Sequence, residues 1–357
     1  MKLSKVYLKP KKEESLLRFH PWVFSGAIQT IDGQPEEGDL VEVYGANNQF
    51  LAIGHYQIGS IAVRVLSFQQ REIDQAFWAE RIRQAYTLRQ ALGLTAHPER
   101  HNTFRLIHGE GDNLPGLVVD LYAHTAVMQA HSVGMHYARH QIAEALKEVL
   151  GDRLQNIYYK SETTLPYKAN LGSEDGYLMG GDDEETALEN GLRFYVDWQK
   201  GQKTGFFVDQ RENRSLLERY AKGRDVLNMF CYTGGFSFYA MRGGAKTVHS
   251  VDSSAKAIML TNKNVELNSP PRGLRRRRVQ VSRADGTQLR PDHPRPARIR
   301  QAQERLAQRP ARLSQAQCHR VREDQAGRYP VHLLLLAGRQ QGKLPPSRLQ
   351  RRRPIGP

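Results

Sequence analysis

Apolar and polar positions change their spacing several times along the chain, and each change marks an expected element. The run Leu40-Val41-Glu42-Val43-Tyr44 alternates with period two, a polar turn follows at 45–48, and the apolar runs 50–54 and 61–66 follow as further strands. Such alternation predicts half-buried strands, so residues 1–74 read as a small β domain. From 73 to 94 the period lengthens, and Phe77, Ile82, Ala85 and Leu88 fall near one helical face. Residues 104–122, FRLIHGEGDNLPGLVVDLY, read as a turn-rich loop entering a strand, 141–150 as an amphipathic helix and 157–159 as another strand. The acidic, polar stretch 180–190 suits a linker that closes a middle α+β domain at 75–190.

Beyond it, Leu192, Phe194, Val196 and Trp198 alternate like a hairpin, and a polar cluster surrounds Gly205: Gln202, Lys203, Thr204, Asp209, Gln210 and Arg211. A helix at 213–220 leads to DVLNMFCYTGGFSFYA at 225–240. Val226, Leu227, Met229 and Phe230 fit a strand buried on both faces of a parallel sheet. It stops at Thr233-Gly234-Gly235, where missing β-carbons permit a tight turn and close approach of a ligand. A helix opens at Phe236, and a second apolar strand from Thr247 ends in Asp252, eighteen positions after Gly234. This order of strand, glycine turn, helix and acid is the nucleotide-binding arrangement, the acid facing ribose hydroxyls.

The G-x-G-x-x-G spacing that cradles a pyrophosphate is absent. S-adenosylmethionine has an adenosine and a sulfonium but no phosphate, so a looser turn serves it. The local reading is a methyltransferase-type Rossmann domain, with a glycine turn in an ordinary βαβ unit as the alternative. The cluster at 202–211 reads either as a site lining ahead of the cofactor strand or as a solvated loop.

A chain of 357 residues predicts two or three domains. Its net charge of +15 is unevenly spread: 1–268 hold 30 Lys+Arg against 32 Asp+Glu, 269–357 hold 22 against 5, and 21 of those 22 are arginine. A mixed-charge globular protein is joined to an arginine-rich tail of another character. Lysines in the first dozen residues, with Arg18, His20 and Trp22, form a basic, partly aromatic edge suited to RNA. Solvated lysines at a chain end account for that edge equally well. No run reaches the length of a membrane span, and MKLSKVYLKPKKEE lacks the apolar core of a signal peptide. Cys231 and Cys318 stand far apart without metal-ligand spacing, which suits a reducing cytoplasm rather than a disulfide or zinc framework. Glu110, Asp112 and Asp120 have the chemistry of a cation site, although a structural role is preferred for them.

Six strings occur in one order: HPWVFSGAI, GEGDNLPGLVVDLY, GQKTGFFVDQREN, VLNMFCYTGGFSFYA, VHSVDSS and NKNVELN. In these the chain, from about Lys9 to Asn268, resembles the ribosomal RNA large subunit methyltransferase I family, S-adenosylmethionine-dependent enzymes that form 5-methylcytosine in bacterial 23S rRNA. The resemblance implies an α/β plus β chain. A PUA-like RNA-binding domain would occupy 1–74, a middle α+β domain 75–190, and a Rossmann-fold methyltransferase domain would begin at 191. It implies S-adenosylmethionine as cofactor and 23S rRNA as partner, with no metal and no membrane, and leaves the oligomeric state open, a homodimer included. By position, Phe230, Tyr232, Thr233, Gly234 and Gly235 resemble the turn on the cofactor's methionine side, and Asp252 the ribose acid. Gln202, Lys203, Thr204 and Gly205, with Asp209, Gln210 and Arg211, resemble the loop closing over the cofactor or target base.

Cytosine C5 is a poor nucleophile, so the implied chemistry adds a cysteine thiolate to C6, lets C5 attack the sulfonium methyl, and removes the C5 proton with a base. The family places a D-P-P-x-F loop at the fourth strand and the nucleophile in an F-S-C-S strand end, and neither string occurs here. Cys231 is expected to pack in the cofactor turn, and Cys318 lies outside any family motif. Read one nucleotide later, codons compatible with 290–301 give DLIILDPPAFA, and those for 326–336 give PGGILFTFSCS. The reactive cysteine would then straddle the codons of Leu335 and Leu336. Val279-Gln280-Val281-Ser282 likewise permits FKYL, which places a change of reading frame between Asn268 and Val279. The expectation is a Rossmann half at 191–268 with an uncovered apolar edge, and a disordered, out-of-frame tail at 269–357. No catalytic residue would stand in frame, and the chain would bind RNA weakly without methylating it. Rival readings are a guanine-N2 methyltransferase and an RNA-binding module with a vestigial Rossmann half. A nicotinamide oxidoreductase is disfavoured by the glycine pattern.

Overall fold

Near the N-terminus the three expected strands at 40–44, 50–54 and 61–66 are joined by three more, giving β1 (Ser4–Leu8), β2 (Trp22–Phe24), β3 (Ile28–Asp32), β4 (Leu40–Tyr44), β5 (Phe50–Tyr56) and β6 (Ile61–Ser67). Their order is β2-β6-β5-β4-β1-β3, and only β1 and β4 run parallel. Val6, Leu8, Val41, Val43, Val63 and Val65, at alternate positions of their strands, are buried together with Val23 and Leu51. The computed structural model describes residues 3–166, 171, 175–181, 186–268, 278–283 and 333–336, and the chain divides into two units, 1–215 and 216–357.

The first unit holds a second sheet, of β7 (Thr103–His108), β8 (Leu117–Tyr122), β9 (Thr125–Ala130), β10 (Asn156–Tyr159) and β11 (Gly176–Met179), in the order β11-β10-β9-β8-β7. The helices of this part of the chain run α1 (Glu14–Leu17), α2 (Gln75–Ala91), α3 (Val133–Tyr137) and α4 (Arg139–Leu150), and the second sheet packs on α2 and α4, with Phe77, Ile82, Ala85, Ile142 and Leu146 in one buried cluster with Leu106, Val119, Met128 and Ile157. Asp74 caps α2 by accepting from the Phe77 N–H at 2.9 Å. Leu88, assigned by its period to the apolar face, is 48% exposed. Strand β9 is buried at every position and shows no alternation, so periodicity does not reveal it.

The stretch 180–190 is corrected from linker to structure at its C-terminal end. Thr186–Glu189 is β12, paired antiparallel with β13 (Leu192–Tyr195) across Asn190 and Gly191, whose φ angles are +51° and +81°. Asn-Gly is the pair that a two-residue turn with both φ positive requires. Glu189 is buried and accepts two bonds, at 2.7 and 2.6 Å, from Arg214 of α5 (Arg211–Tyr220).

In the second unit, β14 (Asp225–Met229), α6 (Gly235–Arg242), β15 (Thr247–Asp252) and α7 (Ala255–Leu267) form the expected alternation, with β14 and β15 parallel. Two further parallel strands flank them, β16 (Arg278–Arg283) beside β15 and β17 (Leu333–Leu336) beside β14. The expectation of an uncovered edge is therefore corrected. Edge pairing asks only for an extended segment with available N–H and C=O groups, and the short apolar runs around Val279 and Leu333 provide one in any reading frame. The rest of 269–357, with Cys318, lies outside the described residues. Among those described, no helix is long and apolar enough to cross a membrane.

Candidate functional site

The chain leaves β14 through a turn with three positive φ angles in five residues: Phe230 at +59°, Tyr232 at +50° and Gly234 at +83°. A bulky side chain in the left-handed region costs about 1–3 kcal/mol, so the turn persists only because its surroundings hold it. The holding contacts are all present. The Cys231 N–H donates to Val251 O at 3.0 Å and the Gly234 N–H to Cys231 O at 2.8 Å. The Tyr232 N–H donates to Asp252 Oδ2 at 2.8 Å. From α7, Thr261 Oγ1 lies 2.8 Å from Tyr232 O, and Asn264 Nδ2 donates to Thr233 O at 3.0 Å. A Cβ on Gly234 would stand 2.8 Å from the Phe238 ring and 2.9 Å from the Thr261 methyl, so the glycine is demanded by space as well as by φ.

Every predicted cofactor residue thus lies on this turn, at the start of α6, or at the end of β15. Phe230 is half exposed, Tyr232 and Asp252 are partly buried, and Thr233, Gly234 and Gly235 are buried. Thr233 Oγ1 has no hydrogen-bond partner among the described residues. A buried hydroxyl without a partner is costly, and it is what a site keeps when the missing partner belongs to a ligand. Asp252 Oδ1 accepts from the Ser254 N–H at 2.9 Å, yet a carboxylate has further lone pairs for hydroxyl donors. Cys231 is buried, and burial, with Asp252 nearby, pushes its thiol up to about 12. Its side chain is packed inside the turn. Thr261 and Asn264 went unnoticed as site residues because their hydroxyl and amide act on backbone atoms some thirty positions away.

The second predicted group, 202–211, belongs to the first unit and divides in two. Thr204 and Gly205 are buried: the Thr204 hydroxyl donates to Asp120 Oδ2 at 2.6 Å, and Tyr122 OH lies 2.9 Å from Thr204 Oγ1. Gly205 has φ of +110°, and a Cβ there would meet Asp197 O at 2.8 Å. Gln202, Lys203 and Asp209 are exposed, while Gln210 and Arg211 are partly buried. Arg211 reaches His101 Nε2 at 3.1 Å, and burial together with that guanidinium lowers the His101 imidazole to about 4. A neutral His101 can accept that bond.

Each of the three carboxylates with cation-site chemistry is held by arginine instead. Asp112 forms a buried two-pronged pair with Arg89, and Asp120 accepts from Arg105 at 2.8 and 3.0 Å. Glu110 accepts from Trp22 Nε1 at 2.9 Å and from Arg64 at 3.2 Å, tying β2 and β6 to the loop after β7.

Residues 6–68 match the PUA-like domain family, and residues 167–278 match the S-adenosylmethionine-dependent methyltransferase family. The chain is 41% identical over 268 residues to the ribosomal RNA large subunit methyltransferase I of Tolumonas auensis, covering 74% of this chain and 66% of that protein. It is 41% identical over 271 residues to the protein of that name from Pseudoalteromonas atlantica, covering 74% and 67%. This chain belongs to the ribosomal RNA large subunit methyltransferase I family. It spans about two thirds of the length of these members. A Streptococcus mutans structure described as a SAM-dependent methyltransferase has the same fold, with a TM-score of 0.64 at 23% identity over 78% of this chain and 69% of that one. The N-terminal sheet is accordingly PUA-like, and a methyltransferase domain follows the middle α/β region.

Proposed function

We propose that this chain is built as an S-adenosylmethionine-dependent methyltransferase of the class that modifies cytosine C5 in 23S rRNA. In its present form it would carry the cofactor turn and an RNA-facing N-terminal domain without the reactive thiol. The observation that carries the cofactor reading is the turn after β14, three times left-handed, clamped from α7 and β15, and keeping one buried hydroxyl unpartnered. Thr233, Gly234 and Gly235 would hold the amino-acid end of the cofactor, beside Phe230 and Tyr232, and Asp252 its ribose. When bound, S-adenosylmethionine supplies the methyl group. Of the loop at 202–211, exposed Gln202, Lys203 and Asp209, with Gln210 and Arg211, would meet the base or cofactor, while Thr204 and Gly205 fix the loop's path. The reading divides the chain at 1–74, 75–190 and 191–268, with 23S rRNA as partner and the cytoplasm as compartment.

The same reading attributes 269–357 to a changed reading frame. Its support is the end of the methyltransferase match at 278 and the two motif strings that a one-nucleotide offset recovers. Cys231 is the free cysteine among the described residues, and its buried thiol, which resists ionisation, would not replace the lost nucleophile. Methyl-labelled S-adenosylmethionine and unmodified 23S rRNA test this directly. The 357-residue chain should bind the cofactor and transfer no label, and robust incorporation overturns the loss of activity.

A further inference from the structure

The cofactor turn is held from α7. Thr261 and Asn264 are fully buried on α7, one turn apart: Asn264 donates to Thr233 O, and the Thr261 hydroxyl lies between Tyr232 O at 2.8 Å and Ala257 O of its own helix at 2.9 Å. No cis peptide occurs among the described residues, so a carbonyl and the N–H across the same peptide point opposite ways. With Tyr232 O turned toward Thr261, the Thr233 N–H is turned away from α7. The next N–H, of Gly234, is taken by Cys231 O. The Thr233 N–H meets no acceptor among the described residues, and neither does the Thr233 hydroxyl, although the residue is 1% exposed. Two donors of one buried residue therefore stand unused immediately before α6, where the helix dipole favours negative charge.

We propose that Thr261 and Asn264 are positioning residues that hold the Thr233 N–H and hydroxyl as a paired donor for the carboxylate at the amino-acid end of the cofactor. The inference rests on the cofactor reading above and deepens it: it says which end of the ligand the clamp serves. S-adenosylhomocysteine carries that carboxylate and 5′-methylthioadenosine does not, so the two ligands separate this role from general support of the fold.

Titration calorimetry on the full chain tests it. Thr261→Val keeps the methyl that packs on Gly234 and removes only the hydroxyl. It should raise the Kd for S-adenosylhomocysteine about tenfold and change that for methylthioadenosine by less than about twofold. Thr261→Ser should restore tight binding. Thr233→Val provides a second route should Thr261→Val fail to fold: it should show the same ligand-selective loss without lowering the ligand-free Tm, because it removes a buried hydroxyl that has no partner. Equal loss for both ligands, or no loss, overturns the inference and leaves the cofactor reading standing. A wild-type chain that binds neither ligand overturns both.

Discussion

The Tyr232 N–H donates to Asp252 Oδ2 at 2.8 Å, while the other oxygen of that carboxylate accepts from the Ser254 N–H at 2.9 Å. One acid thus ties the turn after β14 to the start of α7. Asp252→Ala should lose about 1–3 kcal/mol of stability, because two backbone donors lose a charged acceptor. Asp252→Asn keeps one acceptor oxygen and should recover part of it. Urea unfolding of the two variants checks this, and an Asp252→Ala midpoint equal to wild type would show that the bonds contribute nothing.

Thr204 and Lys203 are neighbours in sequence with opposite surroundings. Thr204→Val strips a buried hydroxyl shared by Asp120 and Tyr122 and should cost about 1–3 kcal/mol. Lys203→Ala, on an exposed side chain, should stay within about 0.5 kcal/mol of wild type. Urea midpoints compare them, and a destabilised Lys203→Ala would contradict the division of the loop.

Legibility in the sequence follows local pattern in the same way. The strands at Leu40–Tyr44 and Asp225–Met229 and the helix at Gln75–Ala91 announce themselves by period or by a bounded apolar run. The turn residues and Asp252 follow from spacing, since glycine and acid occupy fixed places around a Rossmann turn. Strand β9 and the clamp from Thr261 and Asn264 do not, because uniform burial erases alternation and a bond to a distant carbonyl leaves no local pattern. The strands at Arg278–Arg283 and Leu333–Leu336 were obscured for another reason. The arginine-rich composition around them argues for a solvated chain, whereas backbone pairing is indifferent to composition over so few residues.

Acid should weaken the first unit over a defined range. Burial lowers His55, His101 and His136 to about 4, against 6.5 for an ordinary histidine. Between those values the unfolded chain binds protons that the folded chain refuses, so stability is complete above about pH 6.5 and falls as the pH drops toward 4. His55 is the clearest case: its ring packs against Gly134 and Trp78, and its Nδ1 has no partner. Its share of the loss between pH 7.5 and 5 should be about 1–2 kcal/mol. Urea midpoints at the two pH values measure the total, and His55→Gln should flatten the dependence. A wild-type midpoint that does not move would refute the buried neutral histidines.

The thiol of Cys231 offers the sharpest contrast between a cysteine placed for packing and one placed for catalysis. It is 5% exposed, its burial and Asp252 hold it near 12, and its sulfur lies 3.9 Å from the Thr261 hydroxyl. At neutral pH almost none of it is thiolate, the form that alkylates or attacks C6 of a pyrimidine. Iodoacetamide followed by peptide mass spectrometry should leave Cys231 unmodified in the native chain and modify it only as urea unfolds the second unit. Cys231→Ala should keep S-adenosylhomocysteine binding within about threefold of wild type, since it removes one small buried group and no donor to the ligand. Rapid native alkylation of Cys231, or its capture in a covalent adduct with RNA, would return it to the role of nucleophile.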